Sequence, residues 1–334
     1  MKIAIDAFGG DNAPDEVVKG AVDAVKEYGV DIVLTGDTKK LDECFERLGL
    51  SKDHITFEQA DGVIEIEDNP KMILKEKKNC SMGVAMQMVA DGRADAMISA
   101  GSTAALVMGG TLIVKRIKGV KRPSLTPVMP GLNNMYILLD GGANVDCRPD
   151  MLRQFAVMGS VYMNKIMGVD NPKVGLLNVG AEEEKGNALV KETFPLLKEC
   201  PDINFIGSVE ARDFIYGAAD VVVTEAFAGN VMLKTIEGVA SGLFKLIKNS
   251  ITATPVSTIG AALVKPQLKN VAKIFDATEY GGAPLLGLNG LVVKIHGNAS
   301  HKEVKNALFQ VEMFRSQDVN GKIREQLSDV QKEA

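Results

Sequence analysis

Five short loops in this 334-residue chain join glycine to a polar side chain: Gly9-Gly10 with Asp11 and Asn12, Gly101-Ser102-Thr103, Gly141-Gly142-Ala143-Asn144, Gly186-Asn187 and Gly229-Asn230. Glycine lets a ligand approach the backbone closely, and Asn, Ser and Thr add donors without charge. Helical patterns follow these loops, and the free N–H groups of a helix start suit an anion. Turns and helix caps use the same residue types, so one such loop is ordinary. Five on one expected edge predict a shared polar pocket. Lys185 in "EEEKGN" can add positive charge to it, or stand as a solvated lysine balanced by Glu182, Glu183 and Glu184. Asp6 and Asp11 would repel a phosphate, so they are expected to orient Asn or Lys partners. Asp11 is alternatively a cap of the first helix.

Other chemistries lack their residues. Gly9-Gly10 is no part of G-x-G-x-x-G, and neither G-x-x-x-x-G-K-[ST] nor G-x-S-x-G occurs. The three histidines, His54, His296 and His301, form no HExxH, and the four cysteines form no CxxC pair. No metal or cofactor is therefore expected, and the cysteines are read as reduced thiols. A net charge of −5 and the absence of tryptophan argue against nucleic acid. No apolar run reaches the length of a membrane span, and no signal peptide is apparent at the start.

The elements that must position these loops are legible as β-branched runs leading into helical patterns. "MKIAIDA", "DIVLTGD", "ADAMISA", "MYILLD", "KVGLLNV", "DVVVTEA" and "LVVKIHG" read as strands, the first helix opens at Pro14 and stops at Gly29, and the last begins near Lys302. Strands alternating with helices predict an α/β fold in three layers, with a largely parallel, mixed sheet whose carboxyl edge carries the ligand. No linker divides residues 1–334, so two interleaved lobes are expected rather than tethered domains.

Two basic features stand apart. "KRIKGVKR" contributes Lys115, Arg116, Lys118, Lys121 and Arg122, a solvated face or a dock for an acidic partner. Residues 238–275 hold five lysines and no Asp or Glu, which leaves −10 for the rest of the chain. There Lys245, Lys248 and Lys265 alternate with Ile251, Val256, Ile259 and Leu263, and Pro255 bends the segment into a helical hairpin. Cations around an apolar face suit anionic lipid. The same pattern suits a helix pair in a core or a dimer interface.

"IDAFGGDNAP", "SAGSTAALVMGGTLIVKRIKGVKRPSLTPVMP", "LLDGGANVDCRPDML", "VGLLNVGAEEEKGN", "VVVTEAFAGNVMLKTIEG" and "YGGAPLLGLNG" together resemble the phosphate acyltransferases of bacterial phospholipid synthesis, in order and at family spacing from Lys2 to the last helix. The resemblance implies transfer of a fatty acyl group from acyl carrier protein to inorganic phosphate, giving acyl-phosphate. It implies a fold like that of isocitrate and isopropylmalate dehydrogenases and a homodimer. It further implies a cytoplasmic protein peripheral to the membrane, whose product passes to a membrane glycerol-3-phosphate acyltransferase. The chain departs from the family pattern at Phe8, Ser102, Ala104, Glu225 and Ala226.

This reaction fits the residues. Phosphate is already an anionic nucleophile and needs alignment with the thioester, together with donors for the developing oxyanion. Lys185, Asn187 and Asn230 are the expected catalytic donors, with Asn144 and the glycine amides beside them. Asp6, Gly9, Gly10, Asp11, Asn12, Gly101, Ser102, Thr103, Asn144, Gly186 and Gly229 are expected to build the phosphate pocket. Acyl-coenzyme A is the alternative donor, and a non-catalytic membrane adaptor the alternative class.

Overall fold

Apolar residues on both faces of the strands set the architecture. In β1 (Lys2–Asp6), Ile3 and Ile5 enter one core while Ala4 enters another. A strand buried on both faces needs a layer on each side. The structure is a computed structural model and describes residues 1–275 and 277–330. After β1 come α1 (Asp15–Tyr28), β2 (Asp31–Gly36), α2 (Thr38–Leu48), β3 (Ile55–Gln59), α3 (Ser81–Ala90), β4 (Ala96–Ser99) and α4 (Thr103–Gly109). A π-helical turn leads on to β5 (Ser124–Leu125), β6 (Val128–Met129), β7 (Tyr136–Leu139) and α5 (Pro149–Lys165). Then follow β8 (Lys173–Asn178), α6 (Ala188–Lys198), β9 (Asn204–Glu210) and β10 (Val221–Val223). Two long helices, α7 (Ala226–Ile251) and α8 (Pro255–Ile274), precede β11 (Ala283–Leu286), β12 (Leu291–Lys294), α9 (His301–Ser316) and α10 (Val319–Val330).

The strands form two sheets, ordered β3-β2-β1-β4-β12-β11-β5 and β6-β7-β10-β8-β9. Among the described strands only β11, against both its neighbours, and β6, against β7, run antiparallel. The α/β reading holds, with the parallel strands distributed over two sheets. The chain leaves the first sheet after β5, completes the second, and returns with β11 and β12. One apolar core joins them: Ile3, Ile5, Ile137, Leu139, Val221 and Val223 from the strands meet Phe155 of α5 and Phe314 of α9. On the outer faces, Val33 and Met97 pack with Met86 of α3, and Leu138 and Val222 pack with Phe214 and Met232.

Local signals fix the helix ends. Pro14 precedes α1, and Gly29 closes it in the left-handed region at φ 65°. No side chain caps α1, so Asp11 does not serve as its cap; the Asn12 carbonyl accepts the N–H of Glu16 instead. α7 and α8 follow one another across a short turn, with Pro255 in the first turn of α8 and a reciprocal Thr254–Ser257 cap. The Phe244 and Phe275 rings meet at 6.2 Å between the two arms. α8 buries none of its residues; Val256, Ile259 and Leu263 are 81%, 67% and 77% exposed. α8 is thus no part of this chain's own core. None of the described helices is long and apolar enough to cross a membrane.

Candidate active site

Because β1, β4 and β12 are parallel neighbours, the loops leaving them share one edge of the first sheet. β7, β10 and β8 do the same in the second. Residues from both sets line a cavity of about 930 Å³: Gly101, Ser102, Thr103, Lys294 and His296 from the first, Gly141, Gly142 and Asn230 from the second. Along α7 the lining runs from Asn230 through Leu233, Ile236, Glu237 and Ala240 to Phe244. The stretch of helix from Asn230 to Phe244 spans about 20 Å.

The β1 loop stands behind this lining and braces it. Buried Asp6 accepts hydrogen bonds from the Gly9 amide at 3.1 Å and from Ser99 Oγ at 2.6 Å, and Ser99 Oγ accepts from the Gly101 amide at 3.0 Å. Burial pushes the Asp6 carboxyl above its usual range, against the pull of these donors. A Cβ on Gly9 would lie 2.4 Å from Asp6 Oδ2 and 2.9 Å from the Gly101 nitrogen, so no larger residue fits. Gly10 has φ +96°, the Asp11 amide donates to the Gly297 carbonyl at 2.7 Å, and Asn12 Nδ2 donates to the Asn298 carbonyl at 2.9 Å. Asp6 and Asn12 thus orient neighbouring loops.

The second edge is organised by Asp140, a residue that no motif in the chain singles out. It has no exposure to solvent, and its carboxylate accepts from the amides of Leu125, Gly142, Ala143 and Asn144 and from Asn144 Nδ2, all at 2.6–3.1 Å. Burial pushes its carboxyl up to about 6, opposed by those donors. Asn144 gives its second amide hydrogen to the Pro123 carbonyl at 2.7 Å. Both of its donors are committed, so Asn144 braces this loop and has no N–H left for an oxyanion. Gly229 packs its first-turn backbone on the same loop, where a Cβ would meet the Asp140 carbonyl at 1.9 Å. Next to it, Asn230 reaches the cavity. The Glu225 side chain caps α7 by accepting the amides of Phe227 and Ala228. The departure at Glu225 therefore keeps a carboxylate on this helix start.

Two further groups in the lining were not singled out from sequence. Lys294 ends β12 in register with Ser99, and its ammonium donates to the carbonyls of Ala100, at 3.2 Å, and Ile295. Burial pulls it down to about 8. His296 contacts Glu303 of α9 through Nδ1 at 2.7 Å and Glu237 of α7 through Nε2 at 3.4 Å. Hydrogen bonds to Glu237 and Glu303 push the imidazolium up to about 9. It is a charged clamp between the long helix and the core.

Lys185, Gly186 and Asn187 do not line the cavity. They lie on the loop after β8, the strand next to β10, where the Lys185 side chain is 52% exposed and pairs with Glu182 at 2.8 Å. Asn187 caps α6 by accepting the Val190 amide at 2.9 Å. In the basic run all five residues are exposed; Lys121 pairs with Asp150, and Arg116 donates to the carbonyls of Val120 and Lys121. Burial pushes the Cys147 thiol up to about 12 and raises that of Cys80, so neither is a thiolate at neutral pH.

Residues 1–322 match the fatty acid synthesis protein family. The chain belongs to this family. A phosphate acyltransferase of Clostridium acetobutylicum is 45% identical to it, over 99% of this chain and 100% of the relative. One from Bacillus licheniformis is 46% identical over 98% of both chains. Among solved structures, a phosphotransacetylase from Streptococcus pyogenes superposes with a TM-score of 0.64 at 18% identity, covering 94% of each chain. Another, from Staphylococcus aureus, gives 0.61 at 19% identity, covering 94% of this chain and 93% of its own. At those identities the likeness is one of fold.

The His296 clamp has a definite pH signature. A histidine whose folded pKa is raised contributes stability that is complete below its unfolded value and lost as pH rises through the folded one. His296→Gln should lower the melting temperature by ~2–4 °C at pH 6, and the gap should close between pH 7 and 10. Thermal melts at pH 6, 8 and 10 check this; an equal gap at all three would show that the charge on His296 does not hold α7.

Proposed function

We propose that this protein transfers an acyl group from acyl carrier protein to inorganic phosphate in the cavity between the two strand edges. The observation that carries the reading is the composition of that cavity along α7. Glycine loops, Ser102, Thr103, Asn230 and Lys294 gather with Leu233, Ile236, Phe244 and Phe275 in one space. A phosphate and an acyl chain need such neighbours side by side. Membership among the phosphate acyltransferases agrees with it.

In the proposed step a phosphate oxygen forms a bond to the thioester carbonyl carbon, and the carbonyl becomes an oxyanion. Collapse of that intermediate breaks the C–S bond, and the thiolate departs with the electron pair and takes a proton from solvent. Acyl-phosphate and free carrier remain. Asn230 and the backbone amides of Ser102 and Thr103 are the donors we assign to the oxyanion. Lys185 and Asn187 are assigned to phosphate from the adjoining loop, with Gly186 giving that loop its left-handed turn at φ +103°. Asp6, Gly9, Gly10, Asp11 and Asn12 hold the wall behind it.

The exposed cations at Lys115, Lys118 and Arg122, next to Arg116 and Lys121, are proposed to receive the acidic carrier protein. The hairpin, with Lys245, Lys248, Ile251, Val256, Ile259, Leu263 and Lys265, is proposed to rest on anionic lipid, so that product leaves toward a membrane glycerol-3-phosphate acyltransferase. On this reading residues 1–334 act as one unit of two interleaved lobes, working as a homodimer in the cytoplasm at the membrane surface.

Two experiments test these assignments. Purified protein with phosphate and long-chain acyl-carrier protein should yield acyl-phosphate, trapped as hydroxamate by hydroxylamine, and Lys185→Ala should lower the rate by roughly 100-fold. Product from acyl-coenzyme A alone would change the donor, no product from either would overturn the reading, and an unchanged rate in the variant would remove Lys185 from the site. Replacing Lys245, Lys248, Lys265 and Lys269 by Glu should abolish flotation with phosphatidylglycerol vesicles and leave soluble turnover intact. Flotation that survives, or a change confined to the oligomer size in gel filtration, would give the hairpin to a second copy of the chain instead.

A further inference from the structure

The half-buried lysine at the end of β12 is a charge without an ionic partner. Lys294 Nζ donates to two backbone carbonyls, those of Ala100 and Ile295, and among the described residues no carboxylate lies within 4 Å of it. An ammonium has three donors, so these two bonds leave one unassigned. The charged groups around it act at longer range: Glu303 of α9, Lys234 of α7, Asp6 of β1 and Asp11 of the loop after it. Lys234 is itself paired with Glu237 at 2.8 Å. A cation partly withdrawn from water with no counter-ion in contact is a place where an anion is favoured.

Its position is fixed by the sheet and not by a flexible loop. β12 lies parallel to β4 with Lys294 opposite Ser99, so the ammonium reaches the carbonyl of Ala100, directly before the Gly101-Ser102-Thr103 turn. That turn is held in turn by Ser99 and Asp6. Lys294, Ser102, Thr103 and Asn230 all line the same cavity. A point charge anchored on a strand beside uncharged donors is a setting for a small tetrahedral oxyanion.

We propose that Lys294 is a catalytic residue that binds the attacking inorganic phosphate in the cavity. The inference rests on the acyl transfer proposed above and adds a phosphate ligand to that site. Phosphate supplies the missing counter-charge, and the ammonium spends its free donor on a phosphate oxygen while keeping its two carbonyl bonds. The lysine neither gains nor loses a proton in the step; it aligns the nucleophile and offsets the charge that phosphate brings into a partly apolar space. Because burial holds the free ammonium near 8, the empty enzyme loses this charge at mildly alkaline pH and phosphate capture weakens there.

The test separates phosphate from acyl donor. Lys294→Met should raise the KM for phosphate at least about tenfold with the KM for acyl-carrier protein unchanged, and Lys294→Arg should restore most of the loss. In the wild type, kcat/KM for phosphate should fall as pH rises through about 8, while kcat/KM for the acyl donor stays level. That profile needs no variant, so it stands if Lys294→Met does not fold. An unchanged phosphate KM in a folded Lys294→Met, or a level phosphate profile up to pH 9.5, overturns the inference while the acyl transfer stands. So does a rise in the carrier KM alone. If no donor yields acyl-phosphate, the acyl-transfer reading is the one that fails, and phosphate binding followed by calorimetry still decides Lys294: binding by the wild type that persists undiminished in Lys294→Arg and is lost in Lys294→Met supports the assignment, and equal binding by all three overturns it.

Discussion

The carboxylate of Asp140 is the point on which the second strand edge depends. Five N–H groups converge on a side chain with no solvent exposure. A buried carboxylate is tolerated only with such pairing. Its bonds join β5 to the turn after β7, fix Asn144, and create the surface on which Gly229 packs. α7 therefore leaves the sheet at one angle, and Asn230 enters the cavity at the start of it. Asp6 does the corresponding work on the first edge, through Ser99 and the amides of Gly9 and Gly101. Two buried acids, neither of them touching the cavity, hold the two walls that face it.

α7 links site and surface. Its first turn is locked on the Asp140 loop, its middle lines the cavity, and its far end forms the hairpin with α8. His296 ties its middle to the core through Glu237, where burial pushes the carboxyl up but His296 and Lys234 outweigh it and hold the group low. An apolar cavity wall and an exposed apolar hairpin on the same helix are what a lipid-handling protein needs if a chain is to pass from one to the other.

Much of this was legible in the sequence, because it rests on local signals. β-branched runs gave the strands, Pro14 and Gly29 bounded α1, and the lysines among apolar residues marked the segment of α7 and α8. The rest depends on contacts between distant segments. Lys294 reads as an ordinary strand residue in "LVVKIHG" because nothing near it tells that β12 will slot beside β4. Asp140 looks like a turn aspartate because one of its donors, the Leu125 amide, lies fifteen residues away. Asn144 looked like a free donor for the converse reason, since its acceptor at Pro123 is tertiary. Lys185 stands out in sequence by its charge, whereas its exposure and its pairing with Glu182 are visible only in the fold.

On the proposed function, phosphate and acyl chain meet in the cavity along α7. The most direct measurement is a crystal structure with a long-chain alkyl phosphonate, which carries a phosphate-like head and a chain in one molecule. The head should lie beside Gly101, Ser102, Thr103, Asn230 and Lys294, with the chain against Leu233, Ile236 and Phe244. A head seated on the Lys185 loop with the cavity empty, or a chain lying away from α7, would show that phosphate and acyl chain do not meet there.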